Sequence, residues 1–153
     1  MVIRTLPVTA SDRDICSLVV EWSETIAQGK FSEALEMFPF EGTWSAELLQ
    51  RTIQGYGVPE YDESILDMLE AWEVKEFKIT SIHGRNDVTD FIEKHIVVDR
   101  DHLYGLDPTQ YVGMVHYNDV PLSGYISDLT ARFHLKKVDQ SRMTLEFLDI
   151  HVM

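Results

Sequence analysis

Leu129-Thr130-Ala131-Arg132-Phe133-His134-Leu135-Lys136 alternates without a break. Every second residue is apolar, and those between can carry charge or hydrogen-bond. Successive side chains of an extended chain leave on opposite sides, so the stretch reads as a strand burying Leu129, Ala131, Phe133 and Leu135 on one face. Its neighbours extend that strand to Tyr125–Val138. Asp139-Gln140-Ser141 then turns the chain into another, Met143–Val152. That one is apolar almost throughout and reads as an interior strand, so a tag or truncation at this end should be poorly tolerated. Working backwards, Tyr111–Tyr117, Phe91–Val98 and Phe77–Ile82 read as three more strands, separated by the turn and loop residues 118–124, 99–108 and 84–87.

Ahead of residue 75 the apolar period is helical. Ser11 can cap a helix whose first turn holds Asp12 and Asp14. Ile15, Leu18, Val19, Trp22 and Ile26 then recur at three-and-four spacing until Gly29. A short helix over 32–38 stops before Pro39, because proline disfavours a helical residue ahead of it. A third starts at Ser45 and closes at Gly55 and Gly57. A fourth, capped by Asp62, turns Ile65, Met68, Leu69 and Trp72 inward. Helices first and a strand meander second predict an α+β domain, with N-terminal helices packed on a curved antiparallel sheet formed by the C-terminal half. No repeat or linker divides residues 1–153, so a single domain is expected.

Composition narrows the function. The 13 basic residues face 26 acidic ones, a formal charge of −13. Nucleic-acid binding needs a basic footprint to displace counterions, and an anionic membrane surface would repel this chain. No run approaches a membrane span, the N-terminus lacks the apolar core of a signal peptide, and a cytoplasmic protein is expected. Cys16 is the one cysteine, which excludes an intramolecular disulfide; it reads as a buried structural thiol. Nucleophile elbows, phosphate loops and dinucleotide glycine patterns are absent. Asp99-Arg100-Asp101 starts like a calcium loop, but Tyr104 stands where glycine is needed and Gln110 where glutamate is. No cofactor and no metal site are expected.

The order of elements resembles the nuclear-transport-factor-like, or cystatin-like cone, superfamily. Residues 20–31 followed by 34–38 look like the first helix pair of such domains. The C-terminal half also resembles an uncharacterised bacterial family, through Tyr117, Pro121, Leu122, Gly124, Ser127, Asp128, Leu129, Thr130 and Ala131 and then Asp149, Ile150, His151 and Val152. The first resemblance implies a long helix, shorter ones and a sheet wrapped around them. It admits isomerases, dehydratases, binding subunits and toxin neutralisers alike, so fold alone does not choose.

Two constellations remain. From Glu41 to Glu73 there are eight acids against one base, Arg51, with Trp44, Tyr56, Tyr61 and Trp72 among them. Acids interleaved with aromatics suit an interface for a basic protein, charge speeding encounter and aromatic anchors holding it. Trp44, Glu60, Tyr61, Asp62, Glu63, Asp67 and Glu70 are its candidate residues, and a non-enzymatic protein-binding module, in its most concrete form an immunity-type neutraliser of a basic toxin, is the leading expectation. The alternative is a small-molecule-binding or isomerase/dehydratase-like cone. Asp149 and His151, two apart in a strand, share a face, and that face is expected to carry Phe147 and Leu145. Inside a cone, burial would raise the aspartate pKa and lower the histidine pKa, and His116 could add a proton donor. A homodimer through a sheet face is compatible with either.

Overall fold

The Ser11 hydroxyl accepts from the Asp14 backbone N–H at 3.2 Å and starts α1, Asp12–Ala27. In this computed structural model, which describes residues 3–60 and 62–152, α2 is Phe31–Met37 and α3 is Ala46–Gln54. The third helix is capped by Ser45, whose hydroxyl accepts from Leu48 N–H at 3.0 Å. Asp62 caps α4, Glu63–Ala71, by accepting from Ile65 N–H at 3.1 Å. Gly29 takes a φ of +80° where the chain leaves α1, a conformation open to glycine at little cost.

Among the described residues there are seven strands, the first ahead of α1 and the rest after α4: β1 Leu6–Pro7, β2 Ile96–Asp99, β3 Tyr111–Tyr117, β4 Pro121–Leu122, β5 Tyr125–Ile126, β6 Leu129–Lys137 and β7 Arg142–Val152. Five form a curled antiparallel sheet in the order β1-β7-β6-β3-β2, and β4 pairs with β5 apart from it. The fold is α+β. Trp22 of α1 is fully buried with its ring 5.1 Å from Phe133 of β6 and 5.3 Å from Phe147 of β7. Helix and sheet therefore close on one apolar cluster running from Ile15 to Ile150. Ala131, Phe133 and Leu135 all lie in it.

Three strand expectations change. Phe91 is the second turn of a helix, α5 Val88–His95, and only Ile96–Asp99 is strand. Val88, Phe91, Ile92 and His95 fall at helical spacing, a signal hidden by the β-branched Ile96-Val97-Val98 that follows. Over Phe77–Ile82 the apolar residues are buried, but the segment makes a single bridge, Ile79 to Leu122, rather than a strand. Tyr125–Val138 is broken in two. Ser127 bends the chain there, donating its hydroxyl to the Val120 carbonyl at 2.6 Å and accepting from Leu129 N–H at 3.0 Å. Cys16 is buried, and burial, with Asp12 nearby, pushes its thiol up to about 11, which keeps it protonated.

Candidate functional site

The register of β6 against β7 decides which residues face outward. Leu135 opposes Leu145, His134 opposes Glu146 and Phe133 opposes Phe147; the next pair is Arg132 with Asp149. Leu148 is thus an extra residue, a β-bulge. Beyond it Ala131 opposes Ile150 and Thr130 opposes His151. The bulge exchanges the two sides of the strand. Phe147 is 1% exposed and Ile150 2%, whereas the side chains of Asp149 and His151 are 33% and 35% exposed. These two share a face as expected, but it is the outer face of the sheet, opposite Leu145 and Phe147.

Trp44 holds the bulge in place. Its indole N–H donates to the Leu148 carbonyl at 3.0 Å, which gives the odd residue's carbonyl a partner, and its ring lies 5.0 Å from Phe147. Beside it the chain runs parallel to β7: Phe147 N–H donates to the Pro39 carbonyl at 2.9 Å and Glu41 N–H to the Phe147 carbonyl at 3.0 Å. Trp44, expected as a surface anchor, is half-buried in this clamp.

Arg132, which the sequence reading placed only on the polar side of its strand, organises the outer face. Its Nε donates to Asp149 Oδ1 at 2.9 Å and its Nη2 to Oδ2 at 2.6 Å, a two-pronged pair. His151 Nδ1 is 3.0 Å from Oδ1 of the same carboxylate. Burial works to raise the Asp149 pKa, but the hydrogen bond and charge of Arg132, helped by His151, outweigh it and hold the carboxyl below its usual range. That is the reverse of the expected shift, and a carboxylate so occupied is a poor proton acceptor. His116 of β3 stands opposite Arg132 of β6. Burial first, and then the guanidinium, lower its pKa, so it is neutral near pH 7. Its Nε2 is buried with no hydrogen-bond partner among the described residues. The three candidates do come together, around a guanidinium. They line neither the cleft of about 570 Å³ between α1 and α5, walled by Arg13, Cys16, Ile92 and Ile96, nor that of about 380 Å³ beside Phe77.

The acidic candidates sit elsewhere. Glu60, Glu63, Asp67 and Glu70 are exposed, and none pairs with a cation among the described residues. Asp62 is exposed too, but its carboxylate is engaged at the start of α4, accepting from the Ser64 hydroxyl at 2.6 Å as well as from Ile65 N–H. Those bonds hold its pKa below the usual range. Tyr61 lies outside the described residues. Missed in the sequence was Leu66, 53% exposed on the same stripe of α4 as Glu63, Asp67 and Glu70. Also missed was the β4–β5 hairpin, which presents Tyr125 and Ile126 at 57% and 53% exposure, with Tyr125 5.4 Å from Trp72. The period of α4 marks Leu66 as the apolar residue out of phase with Ile65 and Leu69, which is the signal that could have found it.

A scan against protein-family models found no match, and searches of curated proteins and of solved structures returned none either.

Proposed function

We propose that this protein is a non-enzymatic binding module that takes a basic protein partner on the outer stripe of α4, in the manner of an immunity protein neutralising a basic toxin. The observation that carries the reading is the stripe itself. Glu63, Asp67 and Glu70 surround an exposed leucine and have no intramolecular cation among the described residues. An apolar anchor ringed by unpaired carboxylates suits a partner with an apolar socket rimmed by lysine and arginine. Glu60 extends the charge towards the N-terminus of the helix. The net charge of −13 adds long-range attraction that salt would weaken. The reading places the protein in the cytoplasm; no helix among the described residues is long and apolar enough to cross a membrane. Long helix first and curled sheet second is what supports the likeness to the nuclear-transport-factor-like cone.

Capture from the native lysate on N-terminally tagged protein, eluted with a salt gradient, tests it. Wild type is expected to hold one basic protein in stoichiometric amount and release it at moderate salt. Glu63→Lys/Asp67→Lys/Glu70→Lys should not hold it, while unfolding at the same temperature to within the small change typical of surface substitutions. Empty beads with wild type, or equal capture by both, would overturn the reading.

A further inference from the structure

On the outer face of the sheet, two register pairs from Arg132–Asp149, a second polar cluster lies far deeper. Glu146 is 4% exposed and His134 opposite it 8%. Glu41, exposed, reaches in from the segment that runs along β7. One donor atom from each of the three falls within 4.8 Å of the others.

We propose that Glu41, His134 and Glu146 bind a divalent transition-metal ion of the zinc class. Ligand bonds of about 2.0–2.2 Å to nitrogen and carboxylate oxygen place the donors of one ion within about 4.4 Å of one another, so three donors within 4.8 Å need at most a small inward shift to share one. His134 Nδ1 and Glu146 Oε1 are already 3.1 Å apart, a separation at which two donors share an ion. Each ligand stands on fixed backbone. His134 and Glu146 are direct cross-strand partners, and the Glu41 amide is bound to the Phe147 carbonyl.

The surroundings are those a metal ligand needs. Lys136 Nζ donates to Glu146 Oε2 at 3.1 Å, which orients the carboxylate and leaves Oε1 turned to the imidazole. The Tyr111 and His134 rings pack edge to face, centroids 5.2 Å apart at 77°, which restrains the imidazole plane. Two carboxylates against one ammonium keep the cluster attractive to a dication. One imidazole with two carboxylates suits zinc, manganese or ferrous iron. It does not suit calcium, which needs six or more oxygens, or the thiolate-loving copper(I). Three protein donors leave a fourth position for water.

Chelator-treated, untagged protein titrated with zinc chloride, in competition with a chromophoric chelator, tests the site. Wild type should take up one equivalent saturably, with the imidazole signals of His134 shifting in a heteronuclear spectrum. Glu41→Gln alters an exposed residue and should leave the fold unchanged while weakening zinc by more than about tenfold. His134→Gln should abolish saturable uptake. No saturable uptake by wild type, equal affinity in Glu41→Gln, or zinc-induced shifts at His116 or His151 in place of His134 would each overturn the site. None of these outcomes touches the α4 stripe, so the two proposals stand or fall separately.

Discussion

Asp149 accepts a hydrogen bond on each carboxylate oxygen from one guanidinium and faces an imidazole with one of the two, Oδ1. A carboxyl whose pKa is depressed by folding contributes stability that is fully present above its unfolded pKa and lost as pH falls through the folded value. The unfolded value lies near 3.9, so the contribution of Asp149 should fade below about pH 4. Asp149→Asn is therefore expected to melt earlier than wild type near neutrality, the two curves converging as the pH drops below about 4. Thermal melts of both proteins across that range check it; a constant gap would mean that Asp149 is stabilised by something other than its charge. The partnership of Asp149 with His151 was legible, because two residues apart in a strand means one face. Which face was not read, although the adjacent Phe147-Leu148 marks it: Met143, Leu145 and Phe147 alternate before the pair, and Leu148, Ile150 and Val152 alternate in the opposite phase after it. Arg132 was visible as a polar strand residue, but its assignment to Asp149 needs the bulged register.

Among the elements, the first four helices were legible because each carries its own punctuation. Ser11, Ser45 and Asp62 cap with their side chains, and Pro39 and the glycines stop what they begin. α5 has no such cap: Asp87 precedes it without a side-chain bond to the helix. Its weak start, next to a β-branched run, is why it read as strand. The β2–β3 pairing depends on Gly113. A Cβ there would lie 2.3 Å from the Asp99 carbonyl oxygen, and backbone cannot step aside as a flexible side chain can. Gly113→Ala is expected to lever β2 off β3, at a cost of about 1–3 kcal/mol, the range for overpacked sites. Denaturant unfolding gives the cost, and amide exchange should show protection lost over Ile96–Asp99 ahead of the rest of the sheet. Unchanged protection there would place the strain elsewhere.

At the scale of the whole molecule, β7 binds the parts together. It pairs with β6 from Met143 to Val152 apart from the bulged Leu148, with β1 at Arg142 and Met143, and with the segment around Phe40 at its middle. The interior position expected for this strand thus holds for its first half, and beyond Phe147 its far side is met by Trp44 rather than by a strand. Past the bulge, Ile150 is the residue that still enters the core. Ile150→Ala should cost about 2–5 kcal/mol in urea unfolding, as large-to-small core changes do. A cost under about 0.5 kcal/mol, the size of a surface change, would show that this end is not docked. The overall order of helices and sheet was legible because the change of period near residue 75 divides the chain. The acidic stripe was legible as charge, and the leucine within it was legible only as the apolar residue out of phase with Ile65 and Leu69, a weaker signal than the charge around it.

The inserted Leu148 acts on β7 as a frameshift acts on a reading frame. Because the code has two letters, inside and outside, one added residue would invert every downstream assignment in a strictly alternating strand, and the bulge is the correction that absorbs it, so that Ile150 enters the core as Phe147 does. Removing Leu148 alone would take out the bulge and leave Asp149 and His151 outside and Ile150 inside; flattening the bulge with Leu148 kept is what would send Asp149 and His151 towards Trp22 and Phe133. A sheet built this way can take up an extra residue and still keep the exposed chemistry of the strand's end.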